Sequence, residues 1–140
     1  MGKSCFFIGH RDASSEIEEE LKKAVEEMIQ TDGVVIFFVG QYGNFDYMAA
    51  RAVMEMKKKY DEIRLDFVIP YHPAKRLVSR PEGFDGIFYP LDKAVLPRYA
   101  IVKANRRMID LCDCMIVYVR RPGKSRVFWN MPKKQSARER

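Results

Sequence analysis

Two hydrophobic periods alternate along this chain. Ser4-Cys5-Phe6-Phe7-Ile8 is a continuous apolar run closed by Gly9, which predicts a strand buried on both faces of a parallel sheet. From Ser15 the period changes. Ile17, Leu21, Ala24, Val25, Met28 and Ile29 recur three or four apart, the spacing of one helix face. Ser15 with Glu18 offers a capping box at its start, and Asp32-Gly33 closes it. The alternation then repeats. Val34–Val39 reads as an interior strand, and after Gly40-Gln41-Tyr42-Gly43 the residue Asn44 is placed to cap a second helix. Its Met48, Ala49, Ala52, Val53, Met56 and Tyr60 share one face. Lys57 to Lys59 fall at its negative end, as dipole partners.

Leu65–Ile69 is a third strand stopped by Pro70. Between Tyr71 and Pro97 prolines interrupt the pattern, leaving a brief extended segment at Ile87-Phe88-Tyr89. Ala100, Ala104, Met108 and Leu111 mark a third helix over 98–111, and Met115–Val119 a further strand before Pro122-Gly123. Strands alternating with helices predict an α/β fold, a doubly wound, mostly parallel Rossmann-like sheet with helices on both faces. We expect one such domain over 1–123, followed by a basic C-terminal helix or tail over 124–140, with Pro132 interrupting the helix.

Composition changes this picture little. The chain has 140 residues, 47% hydrophobic and 31% charged, which suits a single folded core. The net charge of +6 is deceptive. Residues 120–140 hold eight Lys/Arg and one acid, a local +7, so the body of the domain is near neutral. A nucleic-acid partner is therefore conceivable only through the tail, and a solvated terminus is the plainer expectation. Cys5, Cys112 and Cys114 are an odd count set in apolar runs, and the spacing of the last two is not that of C-x-x-C. They read as reduced, packed thiols rather than a disulfide framework or metal site. No apolar stretch suits a membrane span, and Cys5–Ile8 is too short for the core of a signal peptide. The expectation is a cytoplasmic protein with no membrane partner, no metal and no built-in cofactor, and with homo-oligomerisation left open.

In a doubly wound sheet, ligands bind beyond the carboxyl ends of the strands. The loops to inspect are those leaving each strand. After the first strand, Gly9-His10-Arg11 combines a tight turn with a guanidinium fork that matches phosphate oxygens. After the second, Gly40-x-x-Gly43-x-x-Asp46 brings glycines to a helix start, where free N–H groups and the dipole favour an anion. Asp46 would repel phosphate there and suits instead a hydrogen bond from a ribose hydroxyl or from a nearby backbone amide. Tyr71 leaves the third strand, and Arg121 the last. Neither the G-x-G-x-x-G fingerprint nor a P-loop is present, since Tyr118 stands where a Gly123-Lys124-Ser125 P-loop needs glycine. His10 and His72 are the only histidines, and no Ser or Cys has a nucleophile-elbow setting. Asp110 and Asp113 flank the end of a helix, where a structural role is the simpler reading.

Taken in order, Cys5-Phe6-Phe7-Ile8-Gly9-His10-Arg11, Gly43-x-x-Asp46-x-x-x-Ala50 and Asn105-Arg106-x-Met108-x-Asp110-x-x-Asp113 resemble segments of the SLOG superfamily, Rossmann-like domains that sense or process nucleotide-derived ligands. The likeness covers about 3–119 and is nearest to the small bacterial members. It implies a pocket to which Gly9, Arg11, Gly43, Asp46 and Arg106 contribute. The Pro-Gly-Gly-x-Gly-Thr element of the related phosphoribohydrolases is missing, and Arg120-Arg121-Pro122 replaces a Gly-Gly turn. Binding or sensing of a phosphate-bearing nucleotide-type small molecule is thus expected before catalysis. An N-glycoside hydrolase or transferase acting on a nucleotide is the alternative, with Asp46 or another acid as catalyst. If the third helix begins near Arg98, Asn105 falls about 10 Å below the crevice, which makes it a packing residue and leaves Arg106 to reach upward; a later start would bring Asn105 to the site.

Overall fold

A computed structural model of the chain describes residues 2–40, 43–76, 78–91, 95–121 and 124–128, with the backbone alone for 119–121 and 124–128. Lys3–Ile8 forms β1, Glu18–Asp32 α1, Val34–Val39 β2, Asn44–Lys59 α2, Arg64–Val68 β3 and Gly86–Phe88 β4. Pro97–Leu111 forms α3, Cys114–Arg121 β5 and Lys124–Phe128 β6. The six strands lie in the order β4-β3-β2-β1-β5-β6. All neighbours pair parallel except β5 and β6, which are antiparallel. The chain winds outward from β1 to β4, then crosses back to place β5 on the other side of β1. That reversal is the switch point at which such sheets form a crevice.

Side-chain alternation divides the core. Cys5 and Phe7 of β1, with Cys114, Ile116 and Tyr118 of β5, face α1 and α2, where Leu21, Ala24, Val25, Met28, Ala49, Ala52 and Val53 complete the larger cluster. Phe6 and Val68 face the other way, onto Met108 and Cys112 at the end of α3. Helices therefore cover both faces. In β2 the register against β1 slips by one residue, Lys3 opposing Val34 and Ser4 opposing Ile36. The extra residue is Val35, and this bulge lets Val34 and Phe37 face the same cluster despite their odd separation.

Several local expectations are corrected. The first helix is approached through a 3-10 turn at Ser15–Ile17, and Ser14 caps that turn, its Oγ accepting from Glu16 N–H at 3.2 Å. Ser15 lies inside the turn, so the Ser15/Glu18 box does not form. Gly33, at φ 72°, closes α1 as expected. Gly43, not Asn44, occupies the cap of α2, because the backbone of Arg11 leaves no room there for a side chain. The basic end of α2 does more than face a dipole. Lys57 Nζ donates to Asp85 Oδ2 at 2.7 Å, and Lys59 pairs with Glu26.

At the C-terminal end, Lys124–Phe128 is strand rather than helix. Pairing with β5, Tyr118 opposite Val127 and Arg121 opposite Lys124, satisfies an edge that would otherwise be open. The remainder of the expected tail, 129–140, lies outside the described residues.

Candidate functional site

Phe45, in the first turn of α2, fastens that helix over the end of β1. It is 1% exposed, stands 6.4 Å from Phe7 between ring centroids, and stacks on Tyr118 at 5.8 Å with rings 12° apart. Gly9 is small for this reason. A Cβ there would lie 2.3 Å from the Phe45 ring. Gly43 serves a second close approach, since its Cβ would lie 2.4 Å from Arg11 Cα and 2.5 Å from Arg11 O. Next to it, Asn44 N–H donates to Arg11 O at 2.6 Å. The turn leaving β1 and the helix start following β2 are thus one packed unit.

Beneath them lies a cavity of about 190 Å³. Gly9, His10, Arg11, Gly40, Gly43 and Asp46 all line it, so the sequence-selected residues of the first two loops converge. Its floor was not foreseen. The cavity descends between β1, through Phe6 and Ile8, and α3, through Ile101 and Asn105. Asn105 therefore belongs to the lining, and Arg106 does not. A depth of about 10 Å would exclude Asn105 from a site above the sheet edge, but this cavity is a slot running down beside the helix. Ile101 and Asn105 are four apart and share the inward face, while Arg106, one position on, is exposed. The i, i+4 pairing of Ile101 with Asn105, together with the Asn-Arg pattern, was the available signal.

Tyr71 lines a different cavity, of about 180 Å³, with His72 and Tyr89. The two histidines do not meet. His10 sits edge-on to Tyr118 at 6.0 Å, and His72 edge-on to Tyr89 at 5.4 Å. The Arg121 side chain lies outside the described residues. Asp113 is at the opposite edge of the sheet, where its Oδ2 accepts from Ser4 N–H at 3.0 Å and ties β5 to β1.

The electrostatics of the slot are mixed. Arg11 is in no ion pair among the described residues, and α2, sixteen residues long, presents its positive end. Asp46 brings a carboxylate, 8% exposed. Tyr118 is 2% exposed and its hydroxyl has no hydrogen-bond partner among the described residues. Cys5 and Cys114 are poorly suited as nucleophiles. Burial pushes Cys5 well above its ordinary range, with Cys114, Cys112 and Asp32 adding to the effect, and burial likewise raises Cys114. An exposed guanidinium, helix-start amides, one carboxylate and one amide suit binding of a small polar anion with hydroxyl groups.

A sequence model of the family described as the YspA SLOG family matches residues 4–77, which run from β1 past β3 and include both turns of the cavity. None of the curated proteins matches the chain.

Proposed function

The chain belongs to the YspA SLOG family, and from that premise we propose that its slot binds a nucleotide-derived, phosphate-bearing small molecule. Membership favours a nucleotide-related or glycosyl-related role, and the observation that carries the finer reading is the packing of Arg11 against Gly43 over one cavity. In this reading Arg11 donates its fork to phosphate oxygens. The amides opening α2 supply fixed partial positive charge to the same group. Asp46 accepts from a ribose hydroxyl, and Asn105, with a donor and an acceptor, reads a polar edge deeper in the slot. A cavity of about 190 Å³ is below the roughly 300–1,000 Å³ usual for a whole drug-sized ligand. It would grip the phosphate and sugar while the remainder extends along the sheet edge.

The test is thermal denaturation against nucleoside monophosphates, cyclic nucleotides, NAD and ADP-ribose. A compound present at a hundred times its dissociation constant adds ~2.7 kcal/mol, which for a chain of this length raises Tm by about 9 °C. Arg11→Gln should remove that shift. A panel without any stabilising phosphate compound overturns the reading.

Asp46 sustains a second reading, because a carboxylate lining the slot beside the proposed sugar position is what an N-glycoside hydrolase requires. Incubation with nucleoside monophosphates would then release free base, and Asp46→Asn would stop the release while retaining binding.

A further inference from the structure

The slot has a neighbour that the proposed function leaves unused. Just as β1 and β2 send their carboxyl ends to the first cavity, β3 and β4 send theirs to the second. Pro70, Tyr71 and His72 follow β3, and Tyr89 follows β4. The two cavities share a wall. Pro97 lines the second and Ile101 the first, and these are consecutive turns of α3, about 6 Å apart along its axis.

Their charges differ. The first is lined by both Arg11 and Asp46, whereas the second is lined by Lys75 and Arg76 with no carboxylate among the described residues of its wall. Neither cation is in an ion pair among the described residues. Arg76 is held by stacking, its guanidinium 4.4 Å from the centroid of the Tyr71 ring. That contact covers one face of the guanidinium and leaves its N–H edge for an acceptor. His72 is oriented too, Nδ1 accepting from Ala74 N–H at 3.0 Å, so the proton of the neutral ring sits on Nε2.

We propose that this second cavity binds a second phosphate group of the same ligand, through Arg76 and Lys75. The ligand class is therefore a nucleotide phosphorylated at two positions rather than a monophosphate. The proposal rests on the reading of the first slot, and it adds the substrate feature that distinguishes one nucleotide from another. A bare aromatic ring is a poorer occupant, because the guanidinium already lies against Tyr71.

Calorimetric titration of the full chain with AMP and with adenosine 3′,5′-bisphosphate tests it. The bisphosphate should bind at least about tenfold tighter, and its affinity should fall more steeply with salt. In K75Q/R76Q, whose changed side chains are exposed, that preference should vanish while AMP affinity is retained. Equal affinity of the two compounds for the wild type overturns the second phosphate site and leaves the first intact. An equal loss of both compounds in K75Q/R76Q also overturns it, since those residues would then serve the first slot. Absence of binding by either compound overturns both readings together.

Discussion

At Gly43 the backbone angles are extended and open to any residue, yet the position tolerates no side chain, because Arg11 Cα would lie 2.4 Å from a Cβ. Gly43→Ala should therefore push the two turns apart and cost about 1–3 kcal/mol, together with ligand binding. Urea denaturation measures the first and thermal shift the second. An alanine variant as stable as the wild type would show that the turns yield freely. Gly9→Ala meets a ring instead of backbone, so it should be partly rescued by Phe45→Leu, a coupling that a double-mutant cycle detects. Tyr118 poses the opposite case. Its hydroxyl is buried without a partner among the described residues, and Tyr118→Phe should leave stability unchanged or raise it by up to about 1 kcal/mol. A clear loss in the free protein would mean that the hydroxyl is satisfied in solution.

Among the elements, α2 is fixed at both ends, by Phe45 at its start and by Lys57 at its end. Asp85 is the hub of the second contact, accepting from Lys57 Nζ at 2.7 Å and from Leu65 N–H at 2.8 Å. Burial alone would raise its pKa, but these two bonds outweigh it and the carboxyl is lowered from its ordinary 3.8. A depressed carboxyl contributes stability that is complete above the unfolded value and disappears as pH falls through the folded one. The Lys59 and Tyr60 bonds lower Glu26 in the same sense. Melting temperature should consequently decline below about pH 4. Asp85→Asn should lower Tm at neutral pH and flatten that acid decline. Parallel curves for the variant and the wild type would remove Asp85 from the account.

For the molecule as a whole, the sheet closes with β6, which no periodicity in the sequence announced. Val34–Val39 and Met115–Val119 are apolar because helices cover them. Lys-Ser-Arg-Val-Phe at Lys124–Phe128 is an edge strand, and its mixed polarity resembles that of a solvated tail. Ending the chain at residue 123 removes this strand and leaves β5 as an open edge. The shortened chain should lose at least about 2 kcal/mol, from ladder bonds each contributing about 1 kcal/mol, and should aggregate sooner on heating. Equal Tm for the two lengths would show that β6 adds nothing to the sheet.

Apolar period and its punctuation determined the strands β1, β2, β3 and β5, the three helices, their alternation and hence the doubly wound class, because burial on two faces or on one stripe leaves its mark in consecutive residues. The glycines and Arg11 were legible for the same local reason, as turn residues directly after strands. Only tertiary structure decided that Asn105 rather than Arg106 enters the slot, that Tyr71 belongs to a separate cavity with His72, and that Gly43 faces Arg11. Those facts depend on how far α3 leans onto β1 and which backbones touch, relations between residues far apart in sequence that composition and periodicity do not encode.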